Sequence, residues 1–232
     1  FAVHYEILDL KERSDPPVSG EPANVIYMSP ERAARMARHF ENLANHYFGD
    51  KNYFRIDGKP VLFIYATRHL VGPVAEAVTA ARRLVREKTG MELFLVGDEI
   101  YFNVPDYDPQ RGIHLLPPGE PSWERIAAFD AIGCYNPYDE SRPEHAGTRG
   151  APAFLSDVQQ LFARYRRIAS TAGVDFFPAA LPGYNDRGVR PKENHFVVPR
   201  ELDGRTLFER TLELWVAPFL DGGRNRLFTI TS

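Results

Sequence analysis

Apolar residues along this chain fall into short continuous runs, separated by stretches in which they recur every three to four positions. The runs at residues 1–8, 61–65, 93–96, 131–135, 175–181 and 227–232 have few polar interruptions. Continuous apolar runs of this length mark strands covered on both faces, not half-exposed ones that would alternate. Between the first two runs, Ala33, Met36, Ala37, Phe40, Leu43, Ala44 and Tyr47 share one face of a helix over residues 30–48. Ser29 caps that helix and Pro30 opens it. Further helices are expected over 71–88 with Gly90 as the stop, a short one over 121–128, one over 153–172 stopped by Gly173, and one over 205–220. Asp57-Gly58 marks a turn, and the proline-rich polar stretches 11–24 and 101–121 read as long rim loops.

Six strands alternating with five helical segments predict an α/β fold with a parallel sheet covered by helices. No strand is followed by Gly-x-Gly-x-x-Gly or by a Walker-type phosphate loop, which argues against a nucleotide-binding doubly wound sheet. Polar and aromatic residues instead follow strand after strand. Glu6 ends the first, Asp98-Glu99 the third, Tyr135-Asn136-Pro137-Tyr138 the fourth, and Pro182-Gly183-Tyr184-Asn185-Asp186 the fifth. That placement predicts a (β/α)8 TIM barrel, incomplete, with about six of eight strand-helix units, forming one domain over 1–232. Because Phe1 and Ser232 both fall inside apolar runs, the chain reads as a barrel truncated at both ends.

Composition narrows the chemistry. A net charge of −3 carries no polyanion-binding signal, so no nucleic-acid partner is expected. The lone Cys134 excludes an internal disulfide and a multi-cysteine zinc site. No apolar stretch is long enough for a membrane span. Asp106-Tyr107-Asp108 is half of a calcium loop without the remaining acidic ligands, and neither a metal nor another cofactor is expected. Glu6 is the informative carboxylate, because an acid inside an apolar strand is costly unless paired or functional. Of the adjacent Asp98 and Glu99, one is expected to face the site while the other turns away. His4 reads as a hydrogen-bonded core or rim histidine, since no partner at metal spacing accompanies it. A rim of carboxylates, tyrosines and asparagine suits an oligo- or polysaccharide, whose cleavage needs paired carboxyls.

Several motifs, in order, carry a closer resemblance. They are His4-Tyr5-Glu6, His46-Tyr47-Phe48-Gly49-Asp50, Gly58-Lys59-Pro60-Val61, Phe94-Leu95-Val96-Gly97-Asp98-Glu99, Phe129-Asp130 with Tyr135, and Pro182-Gly183-Tyr184-x-Asp186 with Val189-Arg190-Pro191. Together they resemble the catalytic barrel of glycoside hydrolase family 99, the endo-α-mannosidases and endo-α-mannanases, and the related WbsX-type proteins of polysaccharide loci. The resemblance implies endo-acting, retaining cleavage of α-mannosidic bonds, with the substrate's own 2-hydroxyl as nucleophile and no metal. It implies substrate contacts at His4, Glu6, Glu99, Tyr135, Tyr184, Asp186 and Arg190. The family's catalytic glutamate pair follows its Ile-Thr-Ser strand, so it is expected just beyond Ser232. Three departures mark a distant branch. Lys192 stands where the family has tryptophan, Ala131 replaces a glycine, and Ile100-Tyr101 follows the acidic pair where a histidine is usual.

Overall fold

The computed structural model describes residues 1–12, 21, 24–108, 112–116, 122–188, 190, 195–220 and 227–231. Most of the 11–24 loop, and Val189, Pro191, Lys192 and Ser232, lie outside the described residues, as do the side chains of Asp106 and Asp108.

Strands β1 (Val3–Glu6), β2 (Lys59–Tyr65), β3 (Phe94–Asp98), β4 (Ala131–Gly133) and β5 (Asp175–Phe177) form one sheet in the order 1-2-3-4-5. Every pairing along this path is parallel. Pro178 interrupts the last run, and the chain resumes as β6 (Ala179–Ala180), which pairs in parallel with β7 (Thr229–Ile230). A strand order that follows the sequence without reversal is the winding of a barrel; a doubly wound sheet would turn back on itself. The arc does not close, and the fold is an incomplete (β/α)8 barrel.

The helices cover the outer face, and their ends follow local chemistry. In α1 (Pro30–Leu43), Ser29 Oγ accepts from the Arg32 N–H at 3.4 Å and Pro30 occupies the first turn. The expected extension to Phe48 exists as a π-helical turn over Ala44–Phe48. Helix α2 (Val74–Thr89) stops at Gly90, whose φ of 72° needs no Cβ accommodation. The crossover from β3 to β4 departs from the expected open loop. It folds as an antiparallel ribbon, Val104–Asp108 against Gly112–Leu116, before the short α3 (Trp123–Ala127). Helix α4 (Gly147–Ala172) starts earlier than expected and carries Pro152 inside it. Helix α5 (Leu207–Thr211) opens with a Thr206/Glu209 capping box and passes into π and 3-10 turns through Phe219.

Apolar packing fixes the helices to the arc. Met36, Phe40 and Phe48 pack with Leu62, Ile64 and Val78 beneath α1 and α2. Phe154 meets Trp215 edge to face at 5.2 Å, and the buried Trp215 Nε1 donates to the Leu155 carbonyl at 2.9 Å. These contacts hold α4 and α5 behind β4 and β5, which sets where the strand ends open. No helix among the described residues is long and apolar enough to cross a membrane.

Candidate functional site

The C-terminal ends of β1, β2 and β4 and the segment after β6 open into one cleft of about 560 Å³. Its size falls in the range of small-molecule sites, roughly 300–1,000 Å³. His4 and Glu6 come from β1, Tyr65 from the end of β2, Tyr135 and Tyr138 from the segment after β4, and Tyr184, Asp186 and Arg190 from the segment after β6. Residues separated by up to 196 positions therefore meet in one place, since His4 and Arg200 both line the cleft.

Two aromatic groups shape this cleft. At its inner end His4 stacks on Tyr135 at 5.2 Å, and Tyr65 meets Tyr135 edge-on at 4.9 Å. Tyr135 remains 43% exposed while lining the cleft. At the outer end Tyr184 stacks on the buried Tyr138 at 3.9 Å, and Tyr138 stacks on Phe196 behind it. Burial pushes the Tyr65 and Tyr138 hydroxyls above their ordinary pKa, which keeps both protonated as hydrogen-bond donors.

The charges are arranged in a chain. Arg190 donates to Glu140 at 2.6 Å and lies 3.7 Å from Asp186 Oδ2, while His195 Nδ1 sits 2.7 Å from Asp186 Oδ1. The Tyr184 hydroxyl donates to Glu140 at 3.4 Å. The Asp186 side chain is only 1% exposed, so with a partner on each oxygen it acts as a clamp within the loop. Glu6 differs. It accepts the Leu8 N–H at 3.2 Å and has no basic partner among the described residues.

The floor beneath the cleft is organised by Asp98. Its Oδ2 accepts from the Ala66 N–H at 2.9 Å and from the buried Arg68 guanidinium, and its Oδ1 accepts the Tyr135 N–H at 2.8 Å. One carboxylate thus joins the ends of β2, β3 and β4, and holds Ala66 at a φ of 52° that a non-glycine residue seldom adopts. A second cavity of about 270 Å³, lined by Phe63, Ile64, Val96, Cys134 and Asp98, shares His4 and Tyr135 with the cleft.

Six of the seven residues expected from the sequence, His4, Glu6, Tyr135, Tyr184, Asp186 and Arg190, line the cleft. Glu99 does not. It is fully buried and accepts the Arg125 Nε–H, shared between its two oxygens at 2.8 and 3.1 Å, and an N–H of the neighbouring Nη2 at 3.0 Å. Adjacent residues at a strand end point in opposite directions, so Asp98 turns inward and Glu99 outward to α3. Sequence reasoning missed Tyr65, Arg200 and His195. Tyr65 ends a strand, which was a usable signal. Arg200 and His195 reach the site region only because Val197–Val198 pairs back onto Tyr184–Asn185, and their local sequence carries no hint of that. Among the described residues no group of three or more His, Cys, Asp or Glu is arranged to hold a metal ion.

The profile of the family described as "Glycosyltransferase WbsX" matches residues 18–201, most of the chain. The chain belongs to the WbsX family. Among solved structures, this WbsX-family chain is similar to a "Glycoside hydrolase-like protein", with a TM-score of 0.63 and 18% identity over 88% of its length. It is also similar to the GH99 endo-alpha-mannosidase from Bacteroides thetaiotaomicron, with a TM-score of 0.51 and 18% identity over 90%. The chain spans about half of each, 52% in both cases. At that identity the likeness establishes the shared fold. No curated protein matches the sequence.

Proposed function

We propose that this WbsX-family barrel binds α-linked glycans in the cleft, as part of an endo-acting, retaining glycoside hydrolase for α-mannosidic or related linkages. The observation that carries the proposal is the convergence of Glu6, Tyr135, Tyr184 and Arg190 from three separate strand ends onto one open cleft. Sugars present alternating apolar faces and vicinal hydroxyls. The exposed Tyr135 ring offers a stacking face, Glu6 accepts hydroxyl protons, and Arg190 donates. Asp186 is held by His195 and Arg190, so its role is to position the loop, not to move protons. The family 99 resemblance implies an acid/base glutamate pair after the Ile-Thr-Ser strand, and no residue of this cleft is assigned that role.

Two measurements test this reading. Titrating the protein with α-manno-oligosaccharides should give saturable binding, and Glu6→Gln and Tyr135→Ala should each weaken it by about tenfold, the scale of one lost charge-assisted contact or stacking face. Proton NMR of fresh products from the full-length protein should show the α-anomer first. Inverted product would sink the retaining assignment, no hydrolysis of any α-linked glycan would sink the hydrolase, and binding indifferent to both substitutions would sink the site placement.

The family's description favours a second reading, a glycosyltransferase or a non-catalytic glycan-binding barrel serving polysaccharide assembly. Consumption of a nucleotide-sugar donor without hydrolysis of the glycan would decide for the transferase. Glycan binding with neither reaction would decide for the accessory barrel.

A further inference from the structure

The charged residues lining the cleft fall into two groups. Arg190 and Asp186 are committed to each other and to Glu140 and His195. Arg200 lines the same cleft but has no acidic partner among the described residues. An unpaired arginine on an open surface is ordinary, because its stem is free to sweep through solvent. Arg200 is exposed too, but its root is fixed.

Its backbone is tied on both sides. Upstream, Val197–Val198 pairs antiparallel with Tyr184–Asn185. Downstream, Glu201–Leu202 pairs with Arg205–Thr206, and the Arg200 carbonyl accepts the Leu207 N–H at 2.8 Å. Its stem lies across the Pro182-Gly183-Tyr184 turn. A Cβ at Gly183 would come within 2.8 Å of Arg200 Cγ and 3.3 Å of its Cα, and Gly183 has a φ of 135°. Gly183 thus leaves room for the stem to cross the turn that also presents Tyr184. A guanidinium whose root is fixed loses little further freedom when it binds, and its planar fork matches a carboxylate or phosphate in bidentate fashion.

Across the cleft, the opposing wall carries Glu6, which likewise has no basic partner among the described residues. The cleft therefore offers one open acceptor on the β1 wall and one open cation on the wall after β6. A neutral glycan would meet the second only through a hydroxyl oxygen.

We infer that Arg200 reads an anionic substituent of the glycan, and that the preferred substrate class is an acidic α-linked oligosaccharide, one carrying a uronic acid, over its neutral counterpart. The inference rests on the reading of the cleft as a glycan site. A uronic acid differs from its hexose in bearing a carboxylate in place of the primary alcohol, which converts an ordinary hydroxyl contact into a charge-assisted, two-point one.

The experiment compares two probes, an α-linked manno-oligosaccharide and the same oligosaccharide oxidised to a mannuronic acid at one primary alcohol. Each is titrated calorimetrically into the protein at low and moderate salt. The acidic probe should bind about tenfold more tightly at low salt, the scale of one charge-assisted hydrogen-bond pair, with the ratio shrinking as salt rises. In Arg200→Gln the acidic-to-neutral ratio should fall to near one, and Arg200→Lys should restore part of it by returning the charge without the fork. Equal affinity of the wild type for both probes would overturn the anion inference and leave the glycan reading standing. A preference that survives Arg200→Gln would overturn the assignment to Arg200. Binding of neither probe would overturn the glycan reading, and this inference with it.

Discussion

Replacing Asp98 with alanine tests the frame on which the cleft stands. The carboxylate is 6% exposed and the Arg68 it faces is 5% exposed. Removing it strands a buried guanidinium and two backbone donors, the Ala66 and Tyr135 N–H groups. Breaking a buried pair from one side costs roughly 3–5 kcal/mol. Each stranded donor adds about 1–3 kcal/mol if no water reaches it. These terms share one site and do not add, so the expected loss is about 4 kcal/mol. With a urea m-value near the upper end of the range for small proteins, about 3 kcal/mol/M, the midpoint should fall by about 1.3 M. The double variant Asp98→Ala/Arg68→Met separates the causes. It removes the stranded charge but keeps the stranded donors, so it should recover about half of the loss and show a coupling with Arg68→Met alone of at least about 2 kcal/mol. Urea unfolding followed by tryptophan fluorescence suffices, since Trp215 is wholly buried. A loss below 1 kcal/mol for Asp98→Ala, or strict additivity in the cycle, would refute the claim that this carboxylate ties three strand ends together.

Other consequences follow from single observations. His69 is held neutral by burial, with Arg68 adding to the effect, and its pKa is pushed down to about 4. The unfolded chain therefore takes up a proton on His69 between its ordinary pKa near 6.5 and 4 while the folded chain does not. Stability is full above that window and falls as pH drops through it, by up to about 3 kcal/mol. The difference in urea midpoint between pH 7.5 and pH 4.5 should shrink in His69→Gln, and an unchanged difference would refute the assignment. Gly183→Ala should cost about 1–3 kcal/mol through its φ of 135° and the approach of Arg200 Cγ to 2.8 Å; thermal unfolding would read it, and a neutral result would show that the turn relaxes. Tyr184→Ala removes the face stacked on Tyr138 at 3.9 Å and should weaken glycan binding about tenfold with the melting temperature nearly kept. Equal loss of affinity and stability would mark Tyr184 as a packing residue instead.

The chain's local chemistry determined the elements and much of their chemistry. Ser29-Pro30, Gly90 and Gly173 set helix ends because a cap hydroxyl, a proline at the first turn and a left-handed stop act within a few bonds of themselves. Continuous apolar strands required a sheet covered on both faces, and their polar endings marked where chemistry collects. Six of the seven residues expected from strand endings and from the family resemblance line the cleft. The remainder depended on contacts distant in sequence. The proline-rich stretch 101–121 reads as a loop, yet Pro105 sits in a two-stranded ribbon, where an edge strand tolerates a missing N–H. Helix α4 runs through Pro152, which gives up one hydrogen bond while Phe154, Leu155 and Val158 bury the helix against the core. Asp98 and Glu99 are equivalent as sequence. Only the fold, by bringing Arg68 to the inner face and Arg125 to the outer, decides that one organises the cleft and the other anchors α3. Arg200 reaches the cleft through a strand pairing whose register is set by packing, and no local pattern in the chain encodes that distance.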